Sequence, residues 1–174
     1  MGIAFKEKVE RWLREIGYSV SDLTDSSVAW RLAIDHPPQT QNKMLLIGPK
    51  GGDDAVVIAT GAQIAPQHLA GFERLEEGER ESFLWELKRA LNQLTVAYRL
   101  VGDNGSPLTG NECPKGFEVV VTRYSDGLTK DELGRSIGAV YATWLTGVMV
   151  VQEKLGGGDL GPPGRFDFRR IGLP

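Results

Sequence analysis

Three closely spaced apolar runs set the fold class: VAWRLAI at 28–34, MLLI at 44–47 and AVVIA at 55–59. Apolar side chains alternate with other residues through the first run, which predicts a half-buried strand. His36-Pro37-Pro38 ends that strand, because a proline has no N–H to donate to a sheet. The Gly/Pro/Asp cluster at 48–53 predicts an antiparallel hairpin between the second and third runs. We therefore expect a three-strand meander.

Segments with helical periodicity lie on both sides of this meander. Apolar residues recur on one helical stripe from Phe5 to Tyr18, and Gly17 stands where a left-handed C-terminal cap falls. A second stripe, from Phe83 to Tyr98, predicts a central helix that begins near Glu79. Pro66 marks a helix entrance before it. We expect an N-terminal helix and a central helix.

The remainder of the chain predicts one more strand and one more helix. Residues 117–124 alternate as a strand does, and Thr129 and Glu132 have the spacing of a capping box before a last apolar stripe that ends at Gly156. The expected fold is α+β, with the meander and a later strand in one antiparallel sheet that packs with the N-terminal, central and C-terminal helices. The order of elements leaves open which sheet edge the later strand joins.

The pattern predicts a single α+β domain over residues 1–155. Residues 156–174 hold a Gly/Pro-rich linker and a C-terminal tail, and glycine and proline at this density disfavour a helix or a central strand. The segment 102–116 is a long loop for a compact domain, and such loops are either functional or mobile.

Composition excludes several classes of function. The chain has 174 residues, and 20 Lys+Arg against 23 Asp+Glu give a net charge of −3. That charge argues against sequence-independent binding of nucleic acid, which needs a basic patch. A single cysteine excludes an intramolecular disulfide framework and suits a reducing compartment. With neither a long apolar segment nor the apolar core of a signal peptide, we expect a soluble cytoplasmic protein without membrane contact.

The sequence offers no recognisable catalytic or metal-binding constellation. The two histidines, His36 and His68, and the lone cysteine lack the spacing of a metal site. The Gly-rich segment 48–52 precedes a strand, whereas a phosphate loop must open a helix. We therefore expect a protein that is not an enzyme and uses no cofactor and no metal. The alternative is an enzyme or small-ligand binder with a site under the 102–116 loop, with Asp103, Glu112 and Cys113 as candidates.

Two other features suggest a protein partner. Small residues recur every fourth position along the last helix, at Gly134, Gly138, Ala142 and Thr146, which forms a flat ridge that admits another backbone closely. The ridge either packs on the domain's own sheet or second helix, or contacts a partner helix. In the tail, Phe166 and Phe168 alternate with charged residues, which is typical of a segment that docks as an added strand. A flexible terminus is the equal alternative.

The order of elements resembles the type III secretion chaperone-like fold group, which includes the YbjN-like proteins. The resemblance rests on Val9-x-x-Trp12-Leu13-x-x-x-Gly17-Tyr18, on the meander from Val28 to Ala59, on the helix from Phe83 to Tyr98 and on the closing strand and helix from Phe117 to Leu155. It implies a small, acidic, usually dimeric protein that binds a partner polypeptide and has no catalytic machinery. The 102–116 loop and the tail depart from that group.

The leading hypothesis is a non-enzymatic protein-binding or chaperone-like module. Its expected partner is a second copy of the chain, another protein or both, and the predicted contact residues are Gly134, Gly138, Ala142, Phe166 and Phe168. A purely structural role inside a larger assembly remains open beside the enzyme or ligand-binding alternative.

Overall fold

A computed structural model of the chain describes residues 2–40, 42–51, 54–108 and 110–156. The elements in chain order are helix α1 (Gly2–Ile16), strands β1 (Val20–Asp22), β2 (Trp30–Asp35), β3 (Lys43–Gly48) and β4 (Ala55–Gln63), helices α2 (Pro66–Arg74) and α3 (Glu77–Leu91), strand β5 (Ala97–Val101), a short 3-10 helix (Asp103–Gly105), strand β6 (Gly116–Tyr124) and helix α4 (Lys130–Leu155). Along these ranges, no helix combines the length and apolar character that crossing a membrane requires.

The strands form one open antiparallel sheet in the order β1-β2-β3-β4-β6-β5. The predicted meander is confirmed as β2, β3 and β4, and the register places Leu32 opposite Leu46 and Leu46 opposite Ile58. The predicted later strand is β6, which joins the meander beside β4. The expected α+β fold is therefore confirmed, with β1 and β5 as two further strands at the edges.

The chain divides into two compact units. Of the described residues, the first unit takes those of 2–60 and 120–141, and the second takes those of 61–119 and 142–156. The division falls within β4, β6 and α4, so each of these elements contributes residues to both units.

In the first unit, a glycine cap ends α1 as the sequence predicts. Gly17 has a φ of +110°, and its N–H donates to the carbonyl of Arg14 at 3.1 Å. The N–H of Tyr18 donates to the carbonyl of Leu13 at 3.0 Å, which completes a Schellman motif. Tyr18 and Leu13 are both buried, so the cap fixes the direction in which the chain leaves the helix.

The prediction of a half-buried first strand is wrong, because β2 is buried on both faces. Trp30, where the strand begins, packs edge-to-face on Phe5 of α1 with 6.3 Å between ring centroids. On the opposite face Arg31 is buried as well, and its guanidinium lies 2.6 Å from the Asp25 carboxylate. The ion pair allows a charged residue at that position, since a buried charge requires a partner.

The central helix is shorter than the sequence predicts. α3 ends at Leu91, with Asn92 at its C-cap, and Ala97–Val101 is a strand instead of a last helical turn. Leu94, which fits the helical spacing, is fully exposed in the turn between them. The β-branched Thr95 and Val96 favour extended backbone there, and pairing with β6 overrides the helical pattern.

In the second unit, a glycine allows the closest approach of α4 to its neighbours. A Cβ atom at Gly147 would lie 2.7 Å from Cδ2 of Leu91 and 2.8 Å from Cζ of Phe117. On the same part of the helix, the indole N–H of Trp144 donates to the carbonyl of Gly61 at 3.0 Å. These contacts hold α4 against α3, β4 and β6 within that unit.

Both ends of α4 agree with the sequence prediction. The N–H of Glu132 donates to Oγ1 of Thr129 at 3.1 Å, as one half of the expected capping box. At the other end Gly156 takes a φ of +101°, a left-handed conformation that favours glycine.

Candidate functional site

The predicted small-residue ridge does not pack on the protein's own sheet. Among the residues that the structure describes, a Cβ atom at Gly134 would meet only Cδ1 of Ile16, at an ordinary 3.8 Å, and a Cβ atom at Gly138 would meet no atom within 4 Å. Ala142 and Thr146 are exposed. The expectation of tight packing on the sheet or the second helix is therefore wrong for this ridge; the glycine that packs tightly in α4 is Gly147.

Large apolar side chains lie beside the exposed part of the ridge. Leu145 is 37% exposed and Met149 is 58% exposed, although both belong by their spacing to the last apolar stripe, the one that the sequence predicts between Glu132 and Gly156. Together with the half-buried Gly138 and the exposed Ala142 they form one stripe, which we call the α4 outer face. Its four residues are separated by four, three and four positions of a single continuous helix, so helical geometry alone aligns them.

Helix α3 also exposes an aromatic residue that the sequence analysis missed. The Trp85 side chain is 59% exposed, whereas Phe83, Leu84 and Leu87 of the same helix are buried. The guanidinium of Arg89 lies over the Trp85 ring, 4.9 Å from its centroid, as a cation–π contact. Its position opposite the buried stripe of the helix is the sequence signal that could have identified Trp85.

The loop candidates are two exposed carboxylates and a half-buried thiol. Asp103 opens the short 3-10 helix and is exposed, as is Glu112. Burial raises the pKa of the half-buried Cys113 thiol, and the opposing charge of Lys115 is the smaller effect. A raised pKa keeps this thiol protonated at neutral pH, whereas a nucleophilic cysteine needs a depressed one.

A polar cluster in the first unit also escaped the sequence analysis. Tyr18 Oη lies 2.6 Å from His36 Nδ1, and the Tyr141 ring meets the His36 ring edge-on at 4.7 Å between centroids. The side-chain amide of Asn42 donates to the His36 carbonyl at 2.9 Å. Burial lowers the pKa of His36 and raises the pKa of Tyr18, so both side chains are neutral near pH 7. The cluster joins the end of α1 to the end of β2.

We expect Tyr18→Phe to lower the free energy of unfolding by about 1 kcal/mol, because His36 Nδ1 loses its hydrogen-bond partner. Urea-induced unfolding at neutral pH measures the change. Tyr124→Phe is the matched control, since Tyr124 is exposed and its hydroxyl has access to water. Equal stability of the Tyr18→Phe variant and the wild type would show that this hydrogen bond contributes nothing to the fold.

Two further sequence predictions concern metal binding and the tail. Among the side chains that the structure describes, no group of three or more His, Cys, Asp or Glu residues could hold a metal ion. Phe166 and Phe168, the predicted contact residues of the tail, lie outside the described residues.

Fold and surface together define a small α+β protein in which helices α3 and α4 expose apolar side chains. Residues 5–151 match the model of a family of uncharacterized conserved proteins, DUF2299, and the chain belongs to that family. No protein of curated function matches it.

The solved structures that are similar to this chain include an archaeal and a bacterial protein. An uncharacterized protein from Methanothermobacter thermautotrophicus shares 26% identity and a TM-score of 0.76, over 87% of this chain and 99% of that one. YbjN from E. coli shares 11% identity and a TM-score of 0.46, over 84% of this chain and 88% of that one.

Proposed function

We propose that this protein is a non-enzymatic module that binds another polypeptide. The observation that carries the proposal is the exposure of Trp85 on α3 and of Leu145 and Met149 on α4. Each of these large apolar side chains gains free energy when a partner removes it from water.

The identity of these residues favours a protein partner. Tryptophan and arginine are enriched among the residues that contribute most to protein–protein affinity, and Trp85 is stacked with Arg89. Methionine suits adaptable binding surfaces because its side chain is flexible and polarizable. The recognition mode that fits helices with exposed apolar faces is helix-to-groove or helix-to-helix packing.

The enzyme alternative has weaker support. Its candidate nucleophile, Cys113, has a raised pKa because of burial, which disfavours the reactive thiolate. The Tyr18–His36 pair is bound within the fold, where it connects α1 to β2. A small-ligand site under the 102–116 loop stays the second candidate function.

A finer form of the proposal is a chaperone-like holder of a client segment, which acts in the cytoplasm as a dimer. The resemblance to secretion chaperones implies the holding role. The single cysteine and the net charge of −3 are compatible with a reducing, intracellular setting.

Native mass spectrometry of the full chain, purified gently from its own source, tests the proposal. We expect a complex with a second polypeptide, either another copy or a different protein. Complexes with a different protein should be lost in Trp85→Glu and retained in Ser82→Glu, a control at an exposed position of the same helix. A monomer that carries a small molecule would overturn the proposal and direct attention to the 102–116 loop.

A further inference from the structure

We infer that a second copy of this chain docks on the α4 outer face, with the two α4 helices antiparallel. The inference rests on the proposed function and names one partner for it. It concerns the stripe of Gly138, Ala142, Leu145 and Met149 on one helix.

The spacing of this stripe is that of a helix pair. Steps of four, three and four residues match the seam positions a and d of a heptad, which keep one stripe facing a partner helix. Leu145 and Met149 are exposed on it, and no described atom lies within 4 Å of where a Cβ atom of residue 138 would be.

The sizes of the side chains specify the direction of pairing. In an antiparallel pair centred between Thr143 and Trp144, Met149 of one copy lies opposite Gly138 of the other, and Leu145 lies opposite Ala142. Each large side chain then fills the space above a small one, and the two-fold symmetry repeats both contacts. A parallel pair in register would instead place Met149 against Met149 and leave a void between the two glycines, which is unfavourable in a packed interface.

The charges at the two ends of the stripe agree with the same direction. Arg135 is one seam position before Gly138; its side chain is 74% exposed, although its guanidinium also lies 2.8 Å from the Glu132 carboxylate of the same helix. In the antiparallel pair it lies opposite Gln152 and next to the exposed Glu153 of the other copy. The parallel arrangement would place Arg135 against Arg135, and such like-charge contacts disfavour association.

Cysteine crosslinking tests this geometry on the full chain. In a Cys113→Ser background, Gly138→Cys and Met149→Cys chains are prepared separately, mixed and oxidised. We expect the mixture to form a disulfide-linked dimer. Gly138→Cys alone should not, because the two copies of residue 138 are about 16 Å apart along the helix axis at 1.5 Å per residue, beyond disulfide reach.

Sedimentation equilibrium supplies the second measurement. The unmodified chain should dimerise, and Met149→Glu should weaken dimerisation about a hundredfold, because an unpaired carboxylate would be buried at the interface. Trp85→Glu lies on another helix and should leave dimerisation unchanged.

The outcomes separate this inference from the proposed function. A chain that stays monomeric at all concentrations, or a dimer in which Gly138→Cys crosslinks to itself, overturns the inference. If the protein in either case still binds a different protein through Trp85, the proposed function survives. A dimer with the expected crosslink and the expected response to Met149→Glu supports both.

Discussion

Arg99→Met should lower the free energy of unfolding by about 3 kcal/mol at alkaline pH. Nε of Arg99 donates to the Glu118 carboxylate at 2.7 Å across strands β5 and β6, and Glu118 is buried. Removal of one partner leaves a buried charge uncompensated, which typically costs about 3–5 kcal/mol. We expect the lower end because the Arg99 side chain is partly exposed.

The effect of this substitution should depend on pH. Burial raises the pKa of Glu118, and the Arg99 charge partly opposes that shift. Without Arg99, the pKa of Glu118 in the folded state rises further above its pKa in the unfolded state. At a pH between these two pKa values, the folded state therefore binds more protons than the unfolded state. Stability is then highest below the unfolded pKa and falls as the pH rises through the folded one. The variant should lose stability more steeply than the wild type as the pH rises.

Urea unfolding at a series of pH values measures this dependence. The matched control is Arg11→Met, because the Arg11–Glu15 pair on α1 is exposed and 4.0 Å apart. Exposed pairs contribute little, so this control should change stability by no more than about 0.5 kcal/mol at any pH. If the stability of Arg99→Met and that of the wild type changed in parallel with pH, Arg99 would not be opposing the rise in the pKa of Glu118.

Gly147→Ala should destabilise the protein by up to about 2 kcal/mol, although alanine is the better helix former. The added methyl would lie within 3 Å of both Leu91 and Phe117. Overpacking of this kind costs about 1–3 kcal/mol, and the gain in helix propensity of about 1 kcal/mol only partly offsets it.

The same change at Gly134 gives a control of opposite sign. Of the described residues, its added methyl would meet only Ile16, at 3.8 Å. The gain in helix propensity should therefore dominate, and Gly134→Ala should stabilise the protein by up to about 1 kcal/mol. Thermal unfolding of the two variants measures both effects. Two shifts of the same sign would show that the packing around Gly147 adapts to a methyl group.

The elements with strong local signals could be predicted from the sequence. Gly17 and Gly156 mark helix ends by their left-handed backbone, and a proline begins α2 at Pro66. The meander follows from its apolar runs. These features depend on residues close together in the chain, so the sequence alone predicts them.

The features that depend on tertiary contacts could not be predicted. Strand β1 has three residues and a single apolar one, too few for a period. The helical spacing of Leu94 and Tyr98 continues past Leu91 by coincidence, and pairing of β5 with β6 decides the outcome. On α4 the apolar residues cover more than one side of the helix, so the sequence could not show that Leu145 and Met149 face outward.

The two edges of the sheet determine how this fold can recognise a peptide. At one edge, β1 spans only three residues and exposes Ser21 and Asp22. At the other, Pro107 bridges to Val101, and the N–H of Leu108 donates to the carbonyl of Leu100 at 2.9 Å, so main-chain groups at that end of β5 are already paired. An extended polypeptide would gain few main-chain hydrogen bonds at either edge. For the polypeptide partner that we propose, augmentation of the sheet is therefore a poor binding mode, and side-chain contacts with helices are the better one.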